Sequence, residues 1–273
     1  MRLHSALTPK TDVAFVTAFY PGPSKHSRNR YLKWAERLFL ATPHAPLHFY
    51  VPSREAANEL AARGAPNSVV FHVLNFWSLP ANQLDINWNE QVAQDPERII
   101  HRSSPHLYVV WNSKVGLVAQ VAQNSEPETM LTWIDAGYVR NMRTQIAVRF
   151  FPTLRQNFFA STGRLHFLAL SDFTEAERRK SIFASPNDFR GLIRLGGGMF
   201  AGRPGAWMKF SRAYSDALVT WSSEGEFVGK DQNVFASLLL RRPNLGVAWK
   251  ARRLSGNPWF SFPQSFGRRS LPQ

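Results

Sequence analysis

The sequence predicts an α/β protein with a doubly wound sheet flanked by helices in a single domain. Three observations predict it. Short apolar runs of strand length alternate with helix-patterned segments through the first half of the chain, the order that builds a doubly wound sheet. Those runs are nearly continuous, as in strands buried on both faces. The chain has 273 residues, 44% of them hydrophobic, with 21 Phe and 9 Trp, and that is enough to bury a substantial core in one large domain.

Residues 1–11 read as a lead-in, 12–250 as the domain, and 251–273 as a basic, partly mobile tail. Residues 13–19 form the first apolar run, ended by Pro21-Gly22-Pro23. Ser27 is a candidate N-cap for a helix whose Tyr31, Trp34, Ala35, Leu38 and Phe39 share one face. Residues 47–51 make the second strand, Pro52-Ser53 opens the second helix, and residues 69–74 make the third strand. Residues 75–103 are polar and irregular and read as a loop-rich insertion. Ser104-Pro105 then carries the cap and first-turn proline of a helix reaching about Gln123. Residues 130–134 are a further buried strand. In the second half, 165–170 reads as a strand, 175–183 as a short helix, 207–221 as a helix, and Asp231 as the start of another.

Cysteine is absent, which excludes disulfides, thiolate zinc sites and a Cys nucleophile. The first residues lack the apolar core of a signal peptide, and no apolar run approaches the ~20 residues that span a bilayer. A cytoplasmic protein is the expectation. The formal net charge of +14 points to anionic partners: phosphate-bearing small molecules, an acidic membrane surface touched from the inner face, or nucleic acid. The basic residues are spread along the chain, in short clusters such as Arg178-Arg179-Lys180, with no long basic tail and no RNA-recognition motif. A nucleic-acid partner is therefore the least favoured, and a solvated basic surface explains any single cluster equally well.

Four constellations can carry chemistry. Thr132-Trp133-Ile134-Asp135-Ala136-Gly137 ends a strand in an acid and a glycine, where open α/β sheets bind ligands. Asp135 there binds a divalent cation, or else starts a turn. Lys114 lies on the apolar stripe of Leu107, Val110, Trp111, Val118 and Val121. It needs a partner such as Asp135 or a phosphate, or else snorkels from the stripe's edge. Gly196-Gly197-Gly198 either lets a ligand approach the backbone or makes a tight bend. Asp231, in Gly229-Lys230-Asp231-Gln232, is either a reactive carboxylate or an N-cap. The usual nucleophile and metal motifs are absent.

Taken in order, these pieces resemble the HtrL/YibB-like family, grouped with GT-A-type glycosyltransferases. The segment Leu107 to Lys114, the segment Trp133 to Gly137 with Arg140, Gly197 to Gly202, and Phe227 to Gln232 are each similar to a family motif. So are Val16 to Tyr20 and Arg30-Tyr31. The likeness covers roughly residues 13–250.

The resemblance implies a GT-A fold with a Rossmann-type mixed sheet flanked by helices, a nucleotide-sugar donor, a glycan or glycolipid acceptor, and a place in cell-surface polysaccharide or lipopolysaccharide core assembly. Thr17, Ala18, Arg30, Lys114, Asp135 and Arg140 are the expected donor contacts, and Gly197, Gly198 and Gln232 the acceptor contacts. Asp231 is the expected base, working with Asp135 and Lys114. GT-A enzymes commonly bind manganese or magnesium through Asp-x-Asp, and here the second acid is Gly137. Asp135 is then the remaining metal ligand, or Lys114 and Arg140 neutralise the diphosphate instead. A non-catalytic sugar or nucleotide-sugar binder of the same fold is the alternative reading.

Overall fold

The computed structural model describes residues 13–151, 163–250 and 257–265. The lead-in 1–11 and the tail residues 251–256 and 266–273 lie outside the described residues.

Seven strands form one mixed sheet: β1 (Val13–Ala18), β2 (Leu47–Val51), β3 (Val69–Val73), β4 (Met130–Ile134), β5 (Leu165–Ala169), β6 (Leu195–Gly202) and β7 (Gly246–Lys250). Their order is β3-β2-β1-β4-β6-β5-β7. β1 runs parallel to β2 and β4, β2 to β3, and β5 to β7. β6 alone is reversed, antiparallel to both β4 and β5. The α/β class and the flanking helices are as the sequence predicts, and the mixed sheet is as the resemblance implies.

The helices are α1 (Arg28–Ala41), α2 (Arg54–Ala61), α3 (Trp88–Gln94), α4 (Arg98–His101), α5 (Pro105–Ala122), α6 (Met142–Arg149), α7 (Glu175–Arg179), α8 (Pro204–Ser223), α9 (Asp231–Arg241) and α10 (Phe262–Ser265). Ser53 and Ser104 cap α2 and α5 by accepting from the amides of Ala56 at 3.3 Å and Leu107 at 3.2 Å. Ser27 holds the N-cap position of α1 without a side-chain cap bond.

Strand alternation divides the core in two. Ala14 and Val16 face α5, α8 and α9, while Val13 and Phe15 face α1, α2 and α6. In the first layer Phe235 of α9 is ringed by Phe167, Phe200, Phe210 and Tyr214 at centroid distances of 5.1 to 6.0 Å among the set.

Three expectations need correction. The triple glycine is no bend: Gly196, Gly197 and Gly198 lie within β6, and none has a positive φ. Residues 75–103 hold α3, α4 and two 3-10 turns rather than open loop. Lys230, not Asp231, is the N-cap of α9; Asp231 is its first helical residue. In the described part of the tail, 257–265, Phe262 is fully buried in the second core.

Phe235→Ala removes the ring at the centre of the first layer and opens a cavity. It should cost about 3–5 kcal/mol, read as a lowered midpoint in urea with an unchanged slope.

Candidate functional site

β1 and β4 are neighbours whose chain connections leave toward opposite edges of the sheet, which makes their carboxyl ends the topological switch point. A cavity of about 500 Å³ opens there. Its walls are residues 18–26 after β1, 135–138 after β4, one face of α5, Gly197 and Gly198 of β6, and residues 230–233 at the start of α9.

Lys114 organises the floor. Its Nζ donates to the Gly197 carbonyl at 3.0 Å and pairs with Asp135 Oδ1 at 3.1 Å and Asp231 Oδ2 at 2.8 Å. Lys114 and Asp231 are both buried, while the Asp135 side chain keeps 39% of its surface open to the cavity. Trp133 Nε1 donates to Asp135 Oδ1 at 2.8 Å, and the Asp231 Oδ1 accepts from the Gln232 amide at 2.9 Å. Burial pushes the Asp231 carboxyl above the usual carboxylate range; Lys114 pulls it back, and the Asp135 charge pushes it further up. Burial opposes the Lys114 charge, but the two carboxylates outweigh it and raise the ammonium's pKa.

The stripe expected on α5 is fully buried only in its second half; Val110 and Trp111 pack against the core from the cavity's edge. Val118 and Val121 are buried, whereas Leu107, Val110 and Trp111 line the cavity beside Lys114. Asn112, on the next face, donates to the Gly229 carbonyl at 3.1 Å and accepts from Tyr214 Oη at 2.6 Å. That pair ties the loop before Asp231 to α5.

Two glycines are set by close approach. A Cβ on Gly197 would lie 3.0 Å from Asp231 Oδ2, so a side chain in this strand position would displace the carboxylate. A Cβ on Gly137 would meet Tyr31 at 3.0 Å and Trp34 at 3.1 Å. The position of the missing second acid is closed by these two rings.

Ala18, Lys114, Asp135, Arg140, Gly197, Gly198, Asp231 and Gln232 all line the cavity, as the sequence predicts for its site. Thr17 and Arg30 do not. Thr17 is fully buried, and alternation along β1 turns it to the face opposite Val16 and Ala18. Arg30 is exposed on α1, with its guanidinium 5.8 Å from the Trp34 ring centre and outside the cavity wall. Arg140 is anchored by its Nε, which donates to the Gly137 carbonyl at 2.9 Å, and lies between Trp34 at 4.5 Å and Phe260 at 4.9 Å.

Sequence reading missed a second polar cluster. Asp95 accepts from Tyr108 Oη at 2.5 Å and Ser103 Oγ at 2.7 Å, and its Oδ1 lies 3.2 Å from Lys230 Nζ. Glu97 contacts the same ammonium. Asp95 precedes Pro96, which reads as turn chemistry, so only the fold reveals its burial. Trp259 and Phe260 of the described tail also line the cavity.

The fit of a resident manganese or magnesium is poor. The position between Asp135 and Asp231 is filled by an ammonium, Asp135 Oδ1 already accepts from Trp133 and Lys114, and hard cations of this kind need several free oxygens. Among the described residues no group of three or more His, Cys, Asp or Glu could hold a metal. Counting the charged side chains on the cavity wall, five cations (Lys25, Arg28, Lys114, Arg140, Lys230) face three carboxylates (Glu97, Asp135, Asp231). No protein-family model matches the chain, and a search of curated proteins returns no match.

Lys114→Met leaves Asp231 buried without its cation. A carboxyl raised above its unfolded value adds stability only below that value and loses it as pH rises through the folded one. The variant should therefore be about 3–5 kcal/mol less stable at neutral pH, and the deficit should shrink on acidification from about pH 8 to pH 5. Urea unfolding across that range checks it; a deficit independent of pH contradicts the ion-triad account. Gly137→Asp restores the two-acid pattern but drives its side chain into Tyr31 and Trp34. It should lose about 1–3 kcal/mol and gain no protection from manganese in thermal melts.

Proposed function

We propose that the protein is a nucleotide-sugar-dependent glycosyltransferase of the GT-A type. The observation that carries the reading is the Lys114 triad, which joins a strand-end acid, Asp135, to a second buried carboxylate, Asp231, in a cavity at the switch point of the sheet. The order of motifs similar to the HtrL/YibB-like family supports it, and so does the excess of cations on the wall, which suits a diphosphate.

In this reading the backbone after Ala18 borders the nucleotide. Asp135, the more open carboxylate, accepts a ribose hydroxyl. Lys114 and Arg140 face the diphosphate and stabilise the charge that grows on it as it leaves. Asp231 accepts the proton of the acceptor hydroxyl while the acceptor oxygen bonds to the sugar's anomeric carbon. The bond from that carbon to the diphosphate oxygen breaks, and the nucleoside diphosphate leaves with the electron pair. The upward push on the Asp231 carboxyl makes it a stronger proton acceptor than an ordinary carboxylate. Gly197 and Gln232 border the acceptor. Neutralisation by side chains makes the reaction independent of added metal.

A glycan or glycolipid acceptor, in cell-surface polysaccharide or lipopolysaccharide core assembly, follows from the family resemblance. The reaction would take place in the cytoplasm or at the inner face of an anionic membrane. No helix among the described residues is long and apolar enough to cross a membrane.

A second reading, a non-catalytic nucleotide-sugar binder, is favoured by one observation: the second acid position is closed by Tyr31 and Trp34. Turnover decides between them. Hydrolysis and transfer from UDP- and GDP-sugars are measured with and without EDTA. Asp231→Asn should lower kcat by about 10²–10⁴-fold and leave nucleoside diphosphate affinity unchanged, while Asp135→Ala weakens that affinity. EDTA should have no effect. Equal turnover in wild type and both variants would remove the site assignment, and nucleotide binding without turnover would favour the binder.

A further inference from the structure

The cavity has a second end that the donor chemistry leaves unused. It is built on Asp95, which has no exposed side-chain surface. Burial raises its carboxyl, but the hydrogen bonds from Tyr108, Ser103 and the Glu97 amide, with the Lys230 charge, hold it below the usual carboxylate range. Asp95 is therefore an anionic anchor that fixes the Lys230 ammonium at 3.2 Å, where it meets Glu97 at the cavity wall.

Two further side chains complete this end. Trp111 is half-buried, lines the cavity and lies 5.9 Å from the Tyr108 ring that holds Asp95. Asn233 lines the cavity too, is 3% exposed, and its Nδ2 has no hydrogen-bond partner. A buried amide donor left unpaired costs about 1–3 kcal/mol, and a small side-chain turn that opened it to the cavity would let a ligand oxygen satisfy it.

We propose that this end is a saccharide subsite and that it binds a pyranose of the acceptor through Trp111, Glu97, Lys230 and Asn233. The proposal rests on the glycosyltransferase reading and gives its acceptor sugar a place on named residues. A pyranose offers an apolar C–H face, which packs on an indole, and an edge of hydroxyls that both donate and accept. Glu97 accepts, while Lys230 and Asn233 donate. A phosphate or carboxylate at this end would meet the Glu97 charge, and a purely apolar ligand would leave Asn233 unpaired.

The placement also fits the transfer. Lys230 and Asn233 flank Asp231 in the first turn of α9. Trp111 is one helical turn from Lys114, a spacing of about 5–6 Å between Cβ atoms. A ring stacked on Trp111 therefore occupies the same cavity as Lys230, Asp231 and Asn233.

Saturation-transfer NMR with the methyl glycosides of glucose, galactose, mannose and N-acetylglucosamine tests this, alongside UDP and GDP binding to the same samples. At least one glycoside should bind wild type. Trp111→Ala should abolish the signal and Trp111→Phe should keep it. Asn233→Asp, which replaces the donor by an acceptor in the same shape, should weaken binding about tenfold. All three variants should bind UDP or GDP as wild type does, which also shows that they fold. A protein that binds a nucleotide but no glycoside, or a glycoside that binds Trp111→Ala and Asn233→Asp unchanged, overturns the subsite and leaves the donor reading standing. Wild type that binds neither nucleotide nor glycoside overturns both.

Discussion

The Lys114 ammonium lies within about 3 Å of a carbonyl of β6 and of carboxylates at the ends of β4 and the start of α9, and the cavity is arranged around that contact. Three chain segments far apart in sequence meet at one nitrogen. Each brings a group that would be costly to bury alone. Asp231 without Lys114 is a buried anion, and Lys114 without the carboxylates is a buried cation. Together they are tolerable, and they fix where β6 and α9 begin relative to α5.

That constraint dictates the small residues around it. β6 must pass against the Asp231 carboxylate, so it carries Gly197 at the point of contact. The reversal of β6 between β4 and β5 brings its Gly-rich first half to the carboxyl end of β4. The Asp135 amide then donates to the Gly198 carbonyl at 2.8 Å. On the other side, Tyr31 and Trp34 of α1 pack against Gly137 and, with Phe260, hold Arg140. One wall of the cavity is thus aromatic and cationic, and the floor is an ion triad.

The polar arrangement also divides the cavity into two ends. Lys114 binds the strand-end acid Asp135 and the buried acid Asp231 with one charge. A separate buried acid, Asp95, anchors Lys230 beyond Asp231. The two lysines therefore do not compete for the same carboxylate, and each end keeps its own fixed cation. The loop that carries Lys230 and Asp231 is tied to α5 by Asn112 and to α3 by Gln91, whose Oε1 accepts from the Val228 amide at 2.6 Å.

By itself the sequence determined five of the seven strands, most of the helices and the candidate acids, because these depend on local patterns. Short apolar runs bounded by Pro and Gly read as strands buried on both faces, Ser104-Pro105 reads as a helix start, and a lysine on an apolar stripe needs a counter-charge. Asp135 as that partner was legible for the same reason. β6, with its three glycines, and β7 carry no such pattern. Tertiary structure decided everything that depends on two distant segments meeting. It made the triple glycine a strand rather than a bend, because β6 needs room beside Asp231. It turned Thr17 away from the cavity and left Arg30 outside it, because strand alternation and the angle of α1 are not set by motif order. It buried Asp95 beneath Lys230 across more than a hundred residues of chain, a pairing that no local pattern encodes.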